Sequence, residues 1–249
     1  MFSLATRRGE AHCTAESVTR GHPDRLCDQV ADLVVDAVLA RDPEARVSCQ
    51  AQAMAGRLEV SAGIATLDAG LCGDLHAALP GRIRGLLRDI GYRSAMLDLS
   101  PRNCAIELHL QPAPVRPEAG AETVLFGYAC DETPELLPLP WALASALTRR
   151  LARQVGVLGS PLRPEGRAQV TVAYRDGRPQ ALQALTVDCQ HWPDATLEEV
   201  RSYLEREVVA QAVPAHWRLA CPELRLNVGG RWTVGGPQRR TGASGSQRG

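Results

Sequence analysis

The 249-residue chain contains no lysine, so all 28 of its basic residues are arginines. Arginine stays charged and presents a planar fork of donors, which excludes catalysis by a Schiff-base or general-base lysine. Aromatic residues are only 4% of the chain, so aliphatic side chains and alanine must fill the core. No apolar run approaches the roughly 20 residues of a membrane helix, and the first residues lack a signal peptide's apolar stretch. We therefore expect a cytoplasmic protein without a membrane partner.

The chain has no excess of positive or negative charge, because 28 acidic residues balance the 28 basic ones. Nucleic-acid binding is driven by neutralisation of phosphates, so this balance argues against a nucleic-acid partner. Eight cysteines are spread along the chain without any Cys-x-x-Cys pair. Such spacing disfavours a zinc site or a disulfide framework and indicates reduced cysteines in the core of a cytosolic protein.

The hydrophobic pattern predicts the order helix–strand–strand–helix–strand twice. The first set is a helix over 23–40, strands over 46–52 and 58–66, a helix ending at Gly91, and a strand over 104–110. The second set is a helix over 139–154, strands over 168–174 and 180–189 joined at Asp176-Gly177, a helix capped by Thr196 and Glu199, and strands over 223–228 and 231–234.

This repeated order predicts an α+β fold with two similar domains, each a sheet covered on one face by two helices. We expect the first domain over 10–111, a proline-rich connector over 112–121, and the second domain over 122–237. Residues 238–249 are rich in glycine, serine and arginine without an apolar anchor, so we expect a disordered tail.

The densest polar cluster, residues 16–25, precedes the first predicted helix. A helix N-terminus offers unpaired N–H groups and the positive end of a dipole, which suits a phosphate group. Asp24 would then hold a magnesium ion bound to that phosphate. The alternative is that Asp24 only caps the helix and that His22 is exposed.

Two further segments combine charge or glycine with a possible ligand surface. Residues 162–167, Leu-Arg-Pro-Glu-Gly-Arg, present guanidinium groups to an anion or form an ordinary charged turn. Residues 227–237 carry two Gly-Gly pairs around Trp232. That ring either stacks on a base or belongs to the core beneath a hairpin.

Together these motifs resemble those of the S-adenosylmethionine synthetase (methionine adenosyltransferase) family. The resemblance rests on Glu16-Ser17-Val18, Gly21-His22-Pro23-Asp24, Asp28-Gln29, residues 42–47, Ile90-Gly91-Tyr92, Phe126-Gly127-Tyr128-Ala129, Glu132-Thr133, Leu137-Pro138, Leu162-Arg163-Pro164, Gln169-Val170-Thr171, Pro214-Ala215-His216-Trp217 and Gly235-Gly236-Pro237. It implies three similar α+β domains, usually in dimers with active sites between subunits. The two repeats correspond to the first two domains, and we expect the third to be absent.

The resemblance also implies roles for individual residues. His22 takes the place of a triphosphate-side histidine, and Arg167 that of a phosphate-binding lysine, so both are expected to be catalytic. The expected ATP-binding residues are His22, Arg163, Glu165, Arg167 and Trp232, the last against adenine. Asp24 matches a magnesium-binding aspartate, and Gln111 matches a glutamine near methionine.

Other matched positions depart from the family pattern. Gln50 stands where the family has a glutamate associated with potassium, which weakens the case for K⁺. Gly63 stands in place of a glutamate near methionine, and Arg240 in place of an aspartate. Glu122 lies one position from a lost aspartate, and Ser246 and Gln247 replace an arginine and a lysine.

The resemblance therefore leaves two functions open, besides a decayed or truncated reading frame with no stable role. The first is formation of S-adenosylmethionine from ATP and methionine, with release of phosphate and diphosphate, by a homodimer that uses Mg²⁺ and K⁺. The alternative is a truncated, catalytically inactive paralogue with methionine binding weak or lost. Such a protein at most binds nucleotide or polyphosphate, or pairs with a full-length homologue as a hetero-oligomer.

Overall fold

The computed structural model describes residues 9–114, 124 and 126–245. Its elements in chain order are β1 (Glu10–Val18), α1 (Pro23–Leu39), β2 (Arg46–Met54), β3 (Arg57–Ala65), α2 (Leu71–Ile90), β4 (Ala105–Pro112), α3 (Leu139–Gln154), β5 (Leu162–Arg175), β6 (Arg178–His191), α4 (Leu197–Tyr203), a π-helical turn (Leu204–Val209), α5 (Ala210–Ala212), α6 (Ala215–Arg218), β7 (Leu224–Leu226), a 3-10 turn (Gly236–Gln238) and β8 (Gly242–Ala243).

The chain divides into two compact units, each made from two segments of sequence. The α1 unit comprises Arg20–Val124 and Val234–Gly249. The α3 unit comprises Met1–Thr19 and Leu125–Thr233. The predicted fold class, α+β with two domains, is confirmed. The domain limits drawn from the sequence stay a prediction.

In the α1 unit a four-stranded sheet has the order β4-β3-β2-β8. Strands β2 and β3 form an antiparallel hairpin through Gly56, whose φ of 69° favours glycine. Strand β4 then pairs parallel to β3. The apolar residues of α1 and α2 recur at helical spacing and pack with the inward residues of β2 and β3 into one core.

The α3 unit repeats this topology, with the sheet order β1-β5-β6-β7. Strands β5 and β6 form the hairpin, and β7 pairs parallel to β6. Asp176 and Gly177 both have positive φ, 51° and 78°, as the predicted two-residue turn demands. The fourth strand in each sheet, β1 here and β8 in the α1 unit, pairs antiparallel with the first hairpin strand.

Three local predictions differ from the structure. Strand β1 is not predicted, because an edge strand with mostly exposed residues shows little hydrophobic alternation. The strand expected over 231–234 is irregular, because the backbone N–H of Trp232 donates to a histidine side chain rather than to a strand. Within the expected disordered tail, Gly242 and Ala243 pair with β2.

In the described segments, no helix is both long and apolar enough to traverse a lipid bilayer.

Candidate functional site

The His22-Pro23-Asp24 turn begins α1 in the α1 unit. His22 is the N-cap residue, with an extended backbone (φ −62°, ψ 136°), and Pro23 fills the first helical position. The backbone N–H of Asp24 donates to Nδ1 of His22 at 3.2 Å. The Tyr92 hydroxyl donates to the Gly21 carbonyl at 2.8 Å and fixes the turn from the other side. Contrary to the alternative above, His22 is the cap and is only 3% exposed.

The segment expected to be disordered lies directly on this turn. The backbone N–H of Ala243 donates to Oδ1 of Asp24 at 3.1 Å. A Cβ on Gly242 would be 2.3 Å from the carbonyl carbon of Pro23, so only glycine fits there. The guanidinium of Arg240 contacts Nε2 of His22. The order of this segment therefore comes from hydrogen bonds and close backbone approach rather than from apolar burial.

His22 is a neutral imidazole at physiological pH. Burial and then the charge of Arg240 lower the pKa of His22 from 6.5 to about 4; Arg25 adds to this effect, and Asp24 opposes it. A neutral ring has one acceptor nitrogen. His22 therefore accepts either from the Asp24 amide at Nδ1 or from Arg240 at Nε2.

Asp24 keeps part of its carboxylate accessible, with its side chain 19% exposed. Across the described part of the chain, no three histidine, cysteine, aspartate or glutamate side chains cluster as a protein-only metal site requires. One carboxylate is nevertheless enough for Mg²⁺ when phosphate oxygens supply further ligands. The residues present therefore fit a magnesium ion held jointly with a phosphate chain.

In the α3 unit, the predicted ATP-binding residues Arg163 and Glu165 are buried, being 5% and 3% exposed. The guanidinium of Arg163 packs over the ring of Trp192, 4.9 Å from its centroid. It also donates to the backbone carbonyl of Thr233. These contacts make Arg163 a support for the segment that carries Trp232 and do not present its charge to solvent.

Arg167 lies on the same strand and is accessible, with its side chain 56% exposed. Its Nε and Nη2 donate to Oδ2 of Asp188 at 3.1 and 3.0 Å. The Asp188 side chain is 8% exposed. An exposed guanidinium is thus anchored by a buried carboxylate from the neighbouring strand β6.

Trp232 is held by backbone contacts to a buried histidine. The N–H of Trp232 donates to Nε2 of His191 at 3.1 Å, and the N–H of His191 donates to the Trp232 carbonyl at 2.9 Å. Nδ1 of His191 lies 2.9 Å from the Trp192 carbonyl, which requires the proton on Nδ1. Trp232 itself is half-buried. It is therefore neither a fully buried core residue nor a fully open stacking surface.

Gln111, the predicted methionine-side residue, is exposed on β4 of the α1 unit. It lines an open cavity of about 290 Å³ together with Gln50, Gly63 and His109. The other lining residues are Ser48, Ser61 and Ala62. No described lining residue is a carboxylate, so Gln50 offers an amide oxygen but no charge to a potassium ion or an ammonium group.

The structure adds two residues that sequence reasoning does not single out, Asp188 and Trp192. Neither belongs to a recognisable motif, and each is identified only by its contact with a predicted arginine. Glu122, Ser246 and Gln247, noted above as departures from the family pattern, lie outside the described residues.

Comparison with known proteins assigns the family. Residues 10–113 match the family model for the S-adenosylmethionine synthetase N-terminal domain, and residues 116–232 match that for the central domain. The S-adenosylmethionine synthase of Thermus thermophilus is 36% identical over 257 residues, which cover 93% of this chain and 63% of the relative. Those of Myxococcus xanthus and Paracoccus denitrificans are also 36% identical, again over 93% of this chain and over 59% and 61% of their own lengths.

The chain thus spans about three-fifths of the length of these relatives. Two adjoining domain models of one family, in the family's order, account for nearly the whole sequence. The chain belongs to the S-adenosylmethionine synthetase family.

Proposed function

We propose that the protein forms S-adenosylmethionine from ATP and methionine, with release of phosphate and diphosphate. This proposal rests most directly on Arg167, an exposed guanidinium fixed by a buried carboxylate where the family resemblance expects a phosphate-binding lysine. Attack of the methionine sulfur on C5′ of ATP forms the S–C5′ bond and breaks the C5′–O bond, which releases triphosphate. Water then cleaves one P–O bond of the triphosphate to give phosphate and diphosphate. A thioether sulfur carries no proton to remove, so the reaction needs positioning and stabilisation of the leaving triphosphate rather than a general base.

In this proposal Arg167 stabilises the negative charge that develops on the departing triphosphate. A guanidinium binds phosphate through two parallel N–H groups and remains charged at all relevant pH values. Glu165 and Arg163, both buried, act by supporting the strand and the Trp232 segment. Trp232 offers its ring to adenine, where stacking contributes about 1–3 kcal/mol per base.

His22 and Asp24 have distinct proposed roles. The imidazole of His22 is neutral because its pKa is lowered. With Nδ1 accepting from the Asp24 amide, the protonated Nε2 would donate to a phosphate oxygen in place of its contact with Arg240. Asp24 would hold Mg²⁺ jointly with the phosphate chain, and the metal would offset part of the phosphate charge. The Gln50 cavity does not fit a potassium ion that needs a carboxylate ligand, and no step is assigned to potassium.

A second candidate function is nucleotide or polyphosphate binding without turnover, alone or in a hetero-oligomer with a full-length homologue. The cavity lined by Gln50, Gly63 and Gln111 favours it, because the described lining residues include no carboxylate for the methionine ammonium group. An unpaired ammonium loses a charge-assisted hydrogen bond that contributes about 1.5–3 kcal/mol. The eight free cysteines are compatible with the reducing cytoplasm in either case.

The deciding experiment measures S-adenosylmethionine by mass spectrometry after incubation with ATP, methionine, Mg²⁺ and K⁺. One arm contains the purified chain, and another adds a catalytically inactive full-length homologue. Product that disappears with Arg167→Ala supports the proposed reaction. Absence of product in both arms overturns it, and ATP binding measured by calorimetry in that case supports the second candidate. Light scattering on the same samples determines whether the chain forms the proposed homodimer.

A further inference from the structure

Arg167 and Asp188 are a directly opposed pair in the β5–β6 ladder, so their side chains lie on the same face of the sheet. The two ends of the contact differ sharply in burial. The arginine side chain is 56% exposed, whereas the carboxylate side chain is 8% exposed. Exposed ion pairs gain little because two flexible side chains must be immobilised. Here one partner is already fixed inside the fold.

The hydrogen bonds select one edge of the guanidinium. Both Nε and Nη2 of Arg167 donate to the same oxygen, Oδ2 of Asp188, at 3.1 and 3.0 Å. Among the residues that the structure describes, none accepts a hydrogen bond from Nη1 of Arg167. The contact therefore turns a defined N–H₂ group away from Asp188 and leaves it to meet an incoming anion.

The backbone that carries Arg167 is fixed as well. The Thr19 hydroxyl donates to the Pro164 carbonyl at 2.7 Å and accepts from the Gly166 N–H at 2.9 Å. The Thr19 N–H donates to the Gly166 carbonyl at 2.9 Å. A Cβ on Gly166 would approach the Asp188 carbonyl oxygen to 3.2 Å, so glycine allows β5 and β6 to come close at this point. The backbone of Arg167 is thereby restrained by Thr19 and β6, and its guanidinium is restrained by Asp188.

The burial of the Asp188 carboxylate lowers the free energy of unfolding unless both of its oxygens accept hydrogen bonds. Its Oδ1 is buried and accepts no hydrogen bond from the described residues. A buried carboxylate that satisfies only one of its oxygens loses free energy relative to an uncharged side chain. Among the described residues, only Arg167 donates hydrogen bonds to the Asp188 side chain.

We propose that Asp188 is a positioning residue that orients Arg167 toward the phosphate chain of the substrate; this inference rests on the proposed function above. Simple electrostatics and positioning predict opposite changes in anion affinity when the charge of Asp188 is removed. Removing a negative charge beside an anion site tightens anion binding if charge alone matters. It weakens binding if the carboxylate is what holds the arginine in place.

The test is a double-mutant cycle on the full chain with Asp188→Asn, Arg167→Ala and both together. Calorimetry with inorganic triphosphate and Mg²⁺ at constant ionic strength gives each affinity. We expect Asp188→Asn to weaken binding about 5- to 10-fold in the presence of Arg167 and to have no such effect without it, consistent with loss of a charge-assisted contact. Tighter or unchanged binding by Asp188→Asn overturns the inference. Asp194→Asn removes one exposed negative charge from the same unit as a control.

A second readout separates this inference from the proposed function. The Nε–H of Arg167 gives an NMR signal that a fixed hydrogen bond shifts and protects from exchange. We expect that protection in the wild type and its loss in Asp188→Ala, which removes the acceptor oxygens, at unchanged circular dichroism. If wild-type protein binds no triphosphate, the proposed function fails, whereas positioning of Arg167 by Asp188 is decided by this signal alone. An unchanged signal in Asp188→Ala overturns it.

Discussion

The guanidinium of Arg240 contacts Nε2 of His22, the residue that caps the N-terminus of α1. Burial first, and then this neighbouring cation, oppose protonation of the imidazole and lower the pKa of His22 to about 4. The resemblance to S-adenosylmethionine synthetases expects an aspartate at position 240. The resemblance thus implies that Arg240 places a positive charge beside the N-terminus of α1 where the family has a negative one.

Arg240→Gln should raise the pKa of His22, because it removes the largest charge effect while burial remains. An NMR titration of the histidine rings measures the change, with Arg239→Gln as the neighbouring control. A His22 pKa near 6.5 in the wild type would contradict the structure.

The same lowered pKa makes stability depend on pH. The unfolded chain binds a proton at His22 near pH 6.5, but the native state resists it down to about pH 4. Stability from this group is therefore complete above about pH 6.5 and is lost as pH falls toward 4, by about 3 kcal/mol. Urea unfolding at pH 7 and pH 4.5 should show a smaller loss in His22→Asn than in the wild type.

Asp24→Asn should weaken the magnesium-dependent part of triphosphate binding about tenfold, because the charged oxygen is lost. The asparagine oxygen still accepts from Ala243, so the tail contact survives. Asp28→Asn is the matched control. Asp28 lies on the same helix as Asp24 and likewise accepts a hydrogen bond from the C-terminal segment, from the Gly245 N–H. Calorimetry with and without EDTA measures the effect, and equal losses in both variants would argue against Asp24 as the ligand.

Trp232→Leu should weaken binding of ATP about tenfold and leave binding of inorganic triphosphate unchanged, because only ATP carries a base to stack. Trp232→Phe keeps an aromatic face and should retain most of the affinity. Comparing the two ligands by calorimetry separates stacking from misfolding. If Trp232→Leu weakens the binding of ATP and of inorganic triphosphate equally, Trp232 has a structural role only.

Gly242→Ala should destabilise the α1 unit by about 1–3 kcal/mol, because the new methyl group collides with the Pro23 backbone. Gly81→Ala, on an exposed and uncrowded position of α2, should instead stabilise by up to about 1 kcal/mol. Thermal unfolding compares the two variants. An unaffected Gly242→Ala protein would show that β8 does not contribute to stability.

Features set by neighbours in sequence are predicted well. Helix α3 has the predicted bounds, Leu139–Gln154, because its apolar stripe recurs every three to four residues. The Thr196–Glu199 capping box forms as expected, since both hydrogen bonds lie within one turn. The Asp176-Gly177 turn forms because those residues tolerate positive φ. Two α+β units follow from the repetition of such elements.

Contacts between distant segments are decided only by the tertiary structure. An unbroken register from the Arg175–Arg178 pair would set Arg167 opposite Thr186, but two register shifts within the β5–β6 ladder bring Asp188 there instead. The C-terminal segment likewise lacks large apolar residues, yet Ala243 and Arg240 lie against Asp24 and His22. Bulges and backbone hydrogen bonds of this kind depend on the partner strand's position, and local residue patterns do not encode that position.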